Sequence, residues 1–208
     1  MAQFFSLHPE NPQPRLLNQA AEIVRNGGLI VFPTDSAYAL GGRTGDVDVV
    51  SRIRRIRGVD DRHHLTLMVR DLSEIAHYAR VDNAQYRFLK AATPGPYTFI
   101  LDGTKELPRR VLHPKRKTIG MRVPAHPLVA GLIAALDEPL LTATLMLPGD
   151  DLPLTDAEYI RDLLEKQVDL VIEAGPCGPE ATTVIDLTGG TPEVIRHGLG
   201  ALAPLGLE

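Results

Sequence analysis

Apolar positions along the chain follow two periods in turn. Over residues 15–26 Leu16, Leu17, Ala20, Ile23 and Val24 fall on one face of a 3.6-residue repeat, and Gly27-Gly28 supplies a stop, so the spacing predicts a helix. Residues 29–32 are consecutive apolar positions ended by Pro33, the mark of a short buried strand. The same reading predicts helices over 47–57, 72–78, 83–92, 128–136 and 156–166. It predicts strands over 64–69, 97–101, 118–123, 140–147, 168–173, 182–187 and 192–197. Thr155 is the expected N-cap of the helix at 156–166, with Glu158 completing a capping box. Strands alternating with helices argue an α/β fold. The turn-forming Pro and Gly residues are scattered and never gather into a linker, and no segment repeats, so residues 1–208 are expected to form one domain.

Composition narrows the classes further. With 44% hydrophobic and 23% charged residues among 208, the chain can bury a substantial core. Cys177 is its single cysteine, and no Cys/His set has zinc spacing, which excludes a disulfide scaffold and a zinc module; no metal site is expected. The opening MAQFFSLHPENPQPR lacks a secretory pattern and no run reaches membrane-spanning length. A cytoplasmic protein without a membrane partner is the expectation. No Gly-rich run ends in Lys-Ser/Thr, and Gly198-Leu199-Gly200 lies too near the end to open a βαβ unit, so a P-loop or Rossmann site is disfavoured. The seven histidines are dispersed, and the adjacent His63 and His64 are expected to point apart.

Charge changes the picture more. The formal net charge is -4, yet Arg52, Arg54, Arg55, Arg57, Arg62 and Arg70 face only Asp60 and Asp61 in one stretch. A second stretch sets Lys105, Arg109, Arg110, Lys115, Arg116, Lys117 and Arg122 against Glu106 alone. Two concentrated basic segments in an acidic chain suit either a phosphate-binding surface or two solvated faces. PTDSAYALG, residues 33–41, directs hydroxyls and a carboxylate out of a strand end, which fits a ligand site or an Asx-capped turn equally well. Arg122 closes an apolar strand, where its charge calls for an anion or a carboxylate. Cys177, in AGPCGPE, has no neighbouring cation in sequence and reads as an incidental thiol.

Taken in order, PTDSAYALG, PGPYTFIL, MRVPAHPL, LLTATLMLPG, TTVIDLT and VIRHGLG resemble the blocks of the YrdC/YciO family, the threonylcarbamoyl-adenylate synthase superfamily. The opening QFFSLHPENPQPRL with RIRRIRG and TLMLPG is most similar to its YciO branch. The resemblance implies a YrdC-like fold: a twisted open mixed sheet with flanking helices and a basic concave face. On that face the synthases convert threonine, bicarbonate and ATP to threonylcarbamoyl-adenylate for tRNA modification. Carried over block by block, it implies substrate binding by Thr34, Asp35, Tyr38 and Arg122. It implies nucleotide binding by Arg57, Arg62, Thr142, Thr144, Thr182 and Arg196, with ATP and magnesium as the reaction's companions. Phosphates of tRNA or duplex RNA would meet Arg52, Arg55, Arg109, Arg110, Lys115, Arg116 and Lys117.

Two departures qualify the activity. Where the synthases carry Lys-x-Arg this chain reads Arg57-Gly58-Val59, and where they carry Ser-x-Asn it reads Thr144-Leu145-Met146. A lost guanidinium or amide contact to a phosphate costs about 1–3 kcal/mol each, so weak synthase activity beside nucleotide and RNA binding is expected. The alternatives are a fully active synthase and a non-catalytic module that docks on ribosomes or proteins.

Overall fold

The computed structural model describes residues 1–207. Its first half runs β1 (Gln3–Ser6), α1 (Pro14–Arg25), β2 (Ile30–Phe32), β3 (Ala39–Arg43), α2 (Val47–Arg57), β4 (Thr66–Met68), α3 (Leu72–Tyr78) and α4 (Asn83–Ala92). Then follow β5 (Tyr97–Asp102), β6 (Thr118–Arg122), α5 (Pro127–Leu136), β7 (Leu140–Thr144), α6 (Ala157–Leu164), β8 (Leu170–Glu173), β9 (Thr183–Asp186) and β10 (Glu193–Arg196). All the strands join one mixed sheet in the order β1-β8-β2-β3-β7-β4-β6-β5-β9-β10. The pairs β1–β8, β2–β8, β4–β6 and β5–β9 are parallel and the others antiparallel. The fold is therefore the α/β architecture with flanking helices that the alternation predicts.

Two cores divide the faces of the sheet. On one face α2, α3, α4 and α6 bury Ile53, Ile75, Leu89 and Ile160 against Leu67, Phe99, Met121 and Leu141. On the other, α1 and α5 bury Leu17, Ala20, Val24, Leu128 and Leu132 against Ile30, Phe32, Ala39 and Leu140. This second core draws its strand residues from β2, β3, β4, β7 and β8 and takes none from β5, β6, β9 or β10. Half of one sheet face is thus left without a helix over it.

Three expectations are corrected. β1 and β3 lie where no strand was expected. β3 reads ALGGR, and its glycines are present for packing: a Cβ on Gly41 would stand 2.6 Å from Phe32 Cε1, and one on Gly42 2.6 Å from Val49 Cγ1. α6 is capped by Asp156, whose side chain accepts from the Tyr159 amide at 2.7 Å, so the Thr155–Glu158 box does not form. β7 stops at Thr144, short of 147, because the Met146 carbonyl turns to accept from Arg57 at 2.6 Å. Among the described residues no helix is long and apolar enough to cross a membrane.

Candidate functional site

The uncovered half-face is where the period of two matters. In β4, β5, β6 and β7 the residues Leu67, Phe99, Met121 and Leu141 enter the helix-covered core. Side chains alternate between faces, so Thr66, Thr98, Gly120, Arg122, Thr142 and Thr144 project to the open side. A Cβ on Gly120 would lie 2.8 Å from Thr66 Oγ1 and 3.0 Å from Thr98 Cγ2, so glycine keeps this floor low. Above it lies a cleft of about 430 Å³, lined by Thr66, Thr98, Thr144, Thr182, Ile100, Val184 and Ile195, with Arg57, Arg62, Arg196, His63 and His64 around them.

No carboxylate lines this cleft, and Arg57, Arg62 and Arg196 have no acidic partner among the described residues. Arg57 ends α2, which Gly58 closes in the left-handed conformation. Its side chain is buried, and Nε has no hydrogen-bond partner. Arg196 donates from Nε and Nη2 to the Thr182 carbonyl at 3.1 and 2.9 Å, and the Thr182 hydroxyl is 2.8 Å from that of Thr98. Burial, then Arg196, lowers the pKa of Arg57; burial and then Arg122 lower that of Arg196. Guanidinium stays charged regardless, so the cleft holds concentrated, uncompensated positive charge. His63 is held below the ordinary histidine range by burial and by Arg57 and Arg196. His64, 2.7 Å from the Thr118 hydroxyl, is brought down to about 4 by burial, His113 and Arg116. Both histidines reach the same cleft, contrary to the expectation that they point apart.

At the inner end a small chamber is walled by Tyr38, Arg122 and Thr66, Thr98, Thr142, Thr144 and Thr182. Thr142 fixes its hydroxyl on the Thr66 carbonyl at 2.9 Å. Arg122 is buried; its Nη2 donates to Thr34 Oγ1 at 3.1 Å, to Ser36 Oγ at 2.9 Å and to the Asp35 carboxylate, while Nε has no partner. Burial lowers its pKa and Asp35 opposes that effect. Asp35 also accepts from the Ala125 amide at 2.8 Å. Thr34 and Asp35 themselves line a separate outer pocket of about 340 Å³ with His126, Cys177 and Glu180. The four residues expected at one substrate site are therefore split: Tyr38 and Arg122 face inward, Thr34 and Asp35 outward, and the Arg122–Asp35 pair stands between.

The two basic segments are neighbours. Arg54 donates to the Arg110 carbonyl at 3.4 Å, Arg110 to the Gly45 carbonyl at 3.0 Å, and the His64 and His113 rings lie 5.0 Å apart. Arg55, Arg109, Arg110, Lys115, Arg116 and Lys117 are exposed. Arg52 is turned away to Asp169 and the Gln167 carbonyl, at 2.8 and 2.9 Å, and Arg116 is paired with Asp186 at 2.5 Å. Ser36, His63, His64 and His126 escaped the sequence reading. Cys177 lies 3.8 Å from the Thr34 carbonyl, so the incidental thiol packs against the first block; burial raises its pKa. Alternate threonines in four strands were the legible sign of an open polar face.

A family model for Sua5, YciO and YrdC proteins, described as Telomere recombination, matches residues 22–198. The chain belongs to this family, on its YciO branch. YciO of Escherichia coli K12 is 58% identical over 204 residues, covering 98% of this chain and 99% of that one. The E. coli YciO crystal structure superposes with a TM-score of 0.96, over 99% of this chain and 100% of that one, at 57% identity. Pyrococcus abyssi Sua5 complexed with L-threonine gives a TM-score of 0.85 at 25% identity, over 94% of this chain and 57% of that one. The threonylcarbamoyl-AMP synthase of Halorhodospira halophila is 28% identical over 178 residues, 85% of this chain and 92% of that protein.

Proposed function

We propose that this YciO-branch protein binds an adenine nucleotide in the arginine cleft and tRNA or duplex RNA on the basic surface beside it, with at most weak threonylcarbamoyl-adenylate synthase activity. The observation that carries the reading is the convergence of Arg57, Arg62 and Arg196 on one cavity that no carboxylate lines. Three uncompensated guanidinium groups over threonine hydroxyls suit a polyphosphate, since each offers charge-assisted and bidentate contacts. Arg62, on the rim of the cleft, stands in for the cation missing at Val59. Magnesium would arrive on the phosphates, because the cleft offers it no carboxylate and no group of three metal-ligating side chains occurs among the described residues.

Threonine would place its carboxylate at Arg122, reached through the inner chamber. Weak synthesis follows from the lost contacts at Val59 and Met146 and from Arg122 being already paired with Asp35. Cytoplasmic location accords with these substrates. For RNA, the support is the exposed cluster of Arg55, Arg109, Arg110, Lys115 and Lys117, which would read phosphates and A-form shape.

Titration calorimetry with MgATP tests the nucleotide half: binding is expected, with roughly tenfold or greater loss in Arg196→Met. Absence of any heat or thermal shift with MgATP overturns it. For the RNA half, filter binding of duplex RNA and tRNA should weaken steeply between 50 and 200 mM salt, as counterion release dictates; affinity that ignores salt refutes it. Pyrophosphate release dependent on threonine and bicarbonate at ordinary enzyme rates would instead establish the full synthase.

A further inference from the structure

A second cavity of about 470 Å³ adjoins the cleft, sharing Arg57, Thr144 and Arg196 as a common wall. Its own lining differs in character. Met146, Leu152, Pro153, Pro179 and Ala181 supply apolar surface, and Asp151 and Glu180 bring carboxylates that the cleft lacks. Leu152 keeps 60% of its surface in water, which a large apolar side chain on a pocket wall does at a cost that an apolar ligand would relieve. Arg57, nine-tenths buried with an unpartnered Nε, lines both cavities.

Resting on the nucleotide reading above, we infer that this side cavity holds the base, and that Asp151 and Glu180 select a 6-amino purine over a 6-oxo purine. Charge decides the orientation. A polyphosphate is drawn to the carboxylate-free side of the arginine wall and repelled by the two carboxylates on the other. The flat, weakly polar base takes the apolar side, between Leu152–Pro153 and Pro179–Ala181. A carboxylate only accepts hydrogen bonds, so it pairs with the exocyclic amine of adenine and is set against the carbonyl of hypoxanthine. Sites built on such acceptors reject the analogue that lacks the donor.

The test is competitive calorimetry of the full chain with ATP, ITP and inorganic tripolyphosphate, on the natural protein and on Asp151→Ala with Glu180→Ala. Both substitutions fall at exposed positions, and a circular-dichroism melt checks that the variant folds. The expected result is ATP binding at least tenfold tighter than ITP and tighter than tripolyphosphate, with the ATP/ITP ratio falling toward one in the variant. Equal binding of ATP and ITP, a ratio unchanged in the variant, or tripolyphosphate binding as tightly as ATP overturns the base assignment and leaves a polyphosphate site standing. If none of the three binds, the nucleotide reading fails and this inference falls with it.

Discussion

Replacing Arg122 by Met strands a buried carboxylate, and its consequence can be sized from the surroundings of the pair. The Arg122 side chain is 5% exposed and that of Asp35 10%, so water compensates little when the guanidinium leaves. Thr34 and Ser36 are 3.1 Å apart and can satisfy one another, but Asp35 would retain only the Ala125 amide. Removing one member of a buried pair costs about 3–5 kcal/mol. For a chain of this length each kcal/mol moves the melting temperature by about 2–4 °C, so Arg122→Met is expected to melt roughly 6–20 °C lower. Replacing Asp35 by Leu in the same molecule removes the stranded charge, and the double variant should regain at least half of the loss. Thermal melts followed by circular dichroism, with urea titrations at 25 °C, measure both. A single variant within about 1 kcal/mol of the natural protein, or a double variant no more stable than the single, would refute the reasoning.

Gly58→Ala forces an L side chain into the left-handed region and sets its Cβ 2.5 Å from Pro148 Cγ, so a loss of about 1–3 kcal/mol is expected in urea unfolding. His64 ionises near 4 in the folded protein and near 6.5 unfolded, so between these values the unfolded chain binds the extra proton. The stabilisation is complete above pH 6.5 and is lost as pH falls toward 4, by about 1–3 kcal/mol. The urea midpoint followed over that range should show the slope, and His64→Gln should flatten it. Because burial raises the Cys177 thiol pKa, iodoacetamide should alkylate it at pH 7.5 more slowly than free cysteine; mass spectrometry at timed intervals would expose an equal or faster rate.

Much of the fold was legible because its helices carry strong periodicity and clear stops. The predicted helices at 47–57, 72–78 and 83–92 match α2, α3 and α4 to the residue. β3 was hidden because its two glycines carry no strand signal of their own and are required only by Phe32 and Val49 packed against them. β1 was hidden by its brevity and by its partner, which lies more than 160 residues along the chain. Site residues show the same division. Local blocks pointed to Thr34, Arg122, Thr182 and Arg196, yet strand order alone brings Arg57, Arg62 and Arg196 to one cleft and sends Arg52 to another side. The separation of Asp35 from the inner chamber depends on which face of a tight turn each side chain takes, and no pattern in the chain encodes that.

The terminal strand bears on the cleft in one more respect. β10 is hydrogen-bonded to β9 alone, and it delivers both Ile195 and Arg196 to the cleft wall. Strands at the rim of a sheet fray at lower free energy than those inside it. Every such fraying event withdraws a cation and an apolar wall together, so occupancy and fraying are linked equilibria in which a bound anion holds the rim shut. Amide protons of residues 194–197 should accordingly exchange with solvent more slowly once the cleft is filled, while those of β2, remote from it, keep their rate.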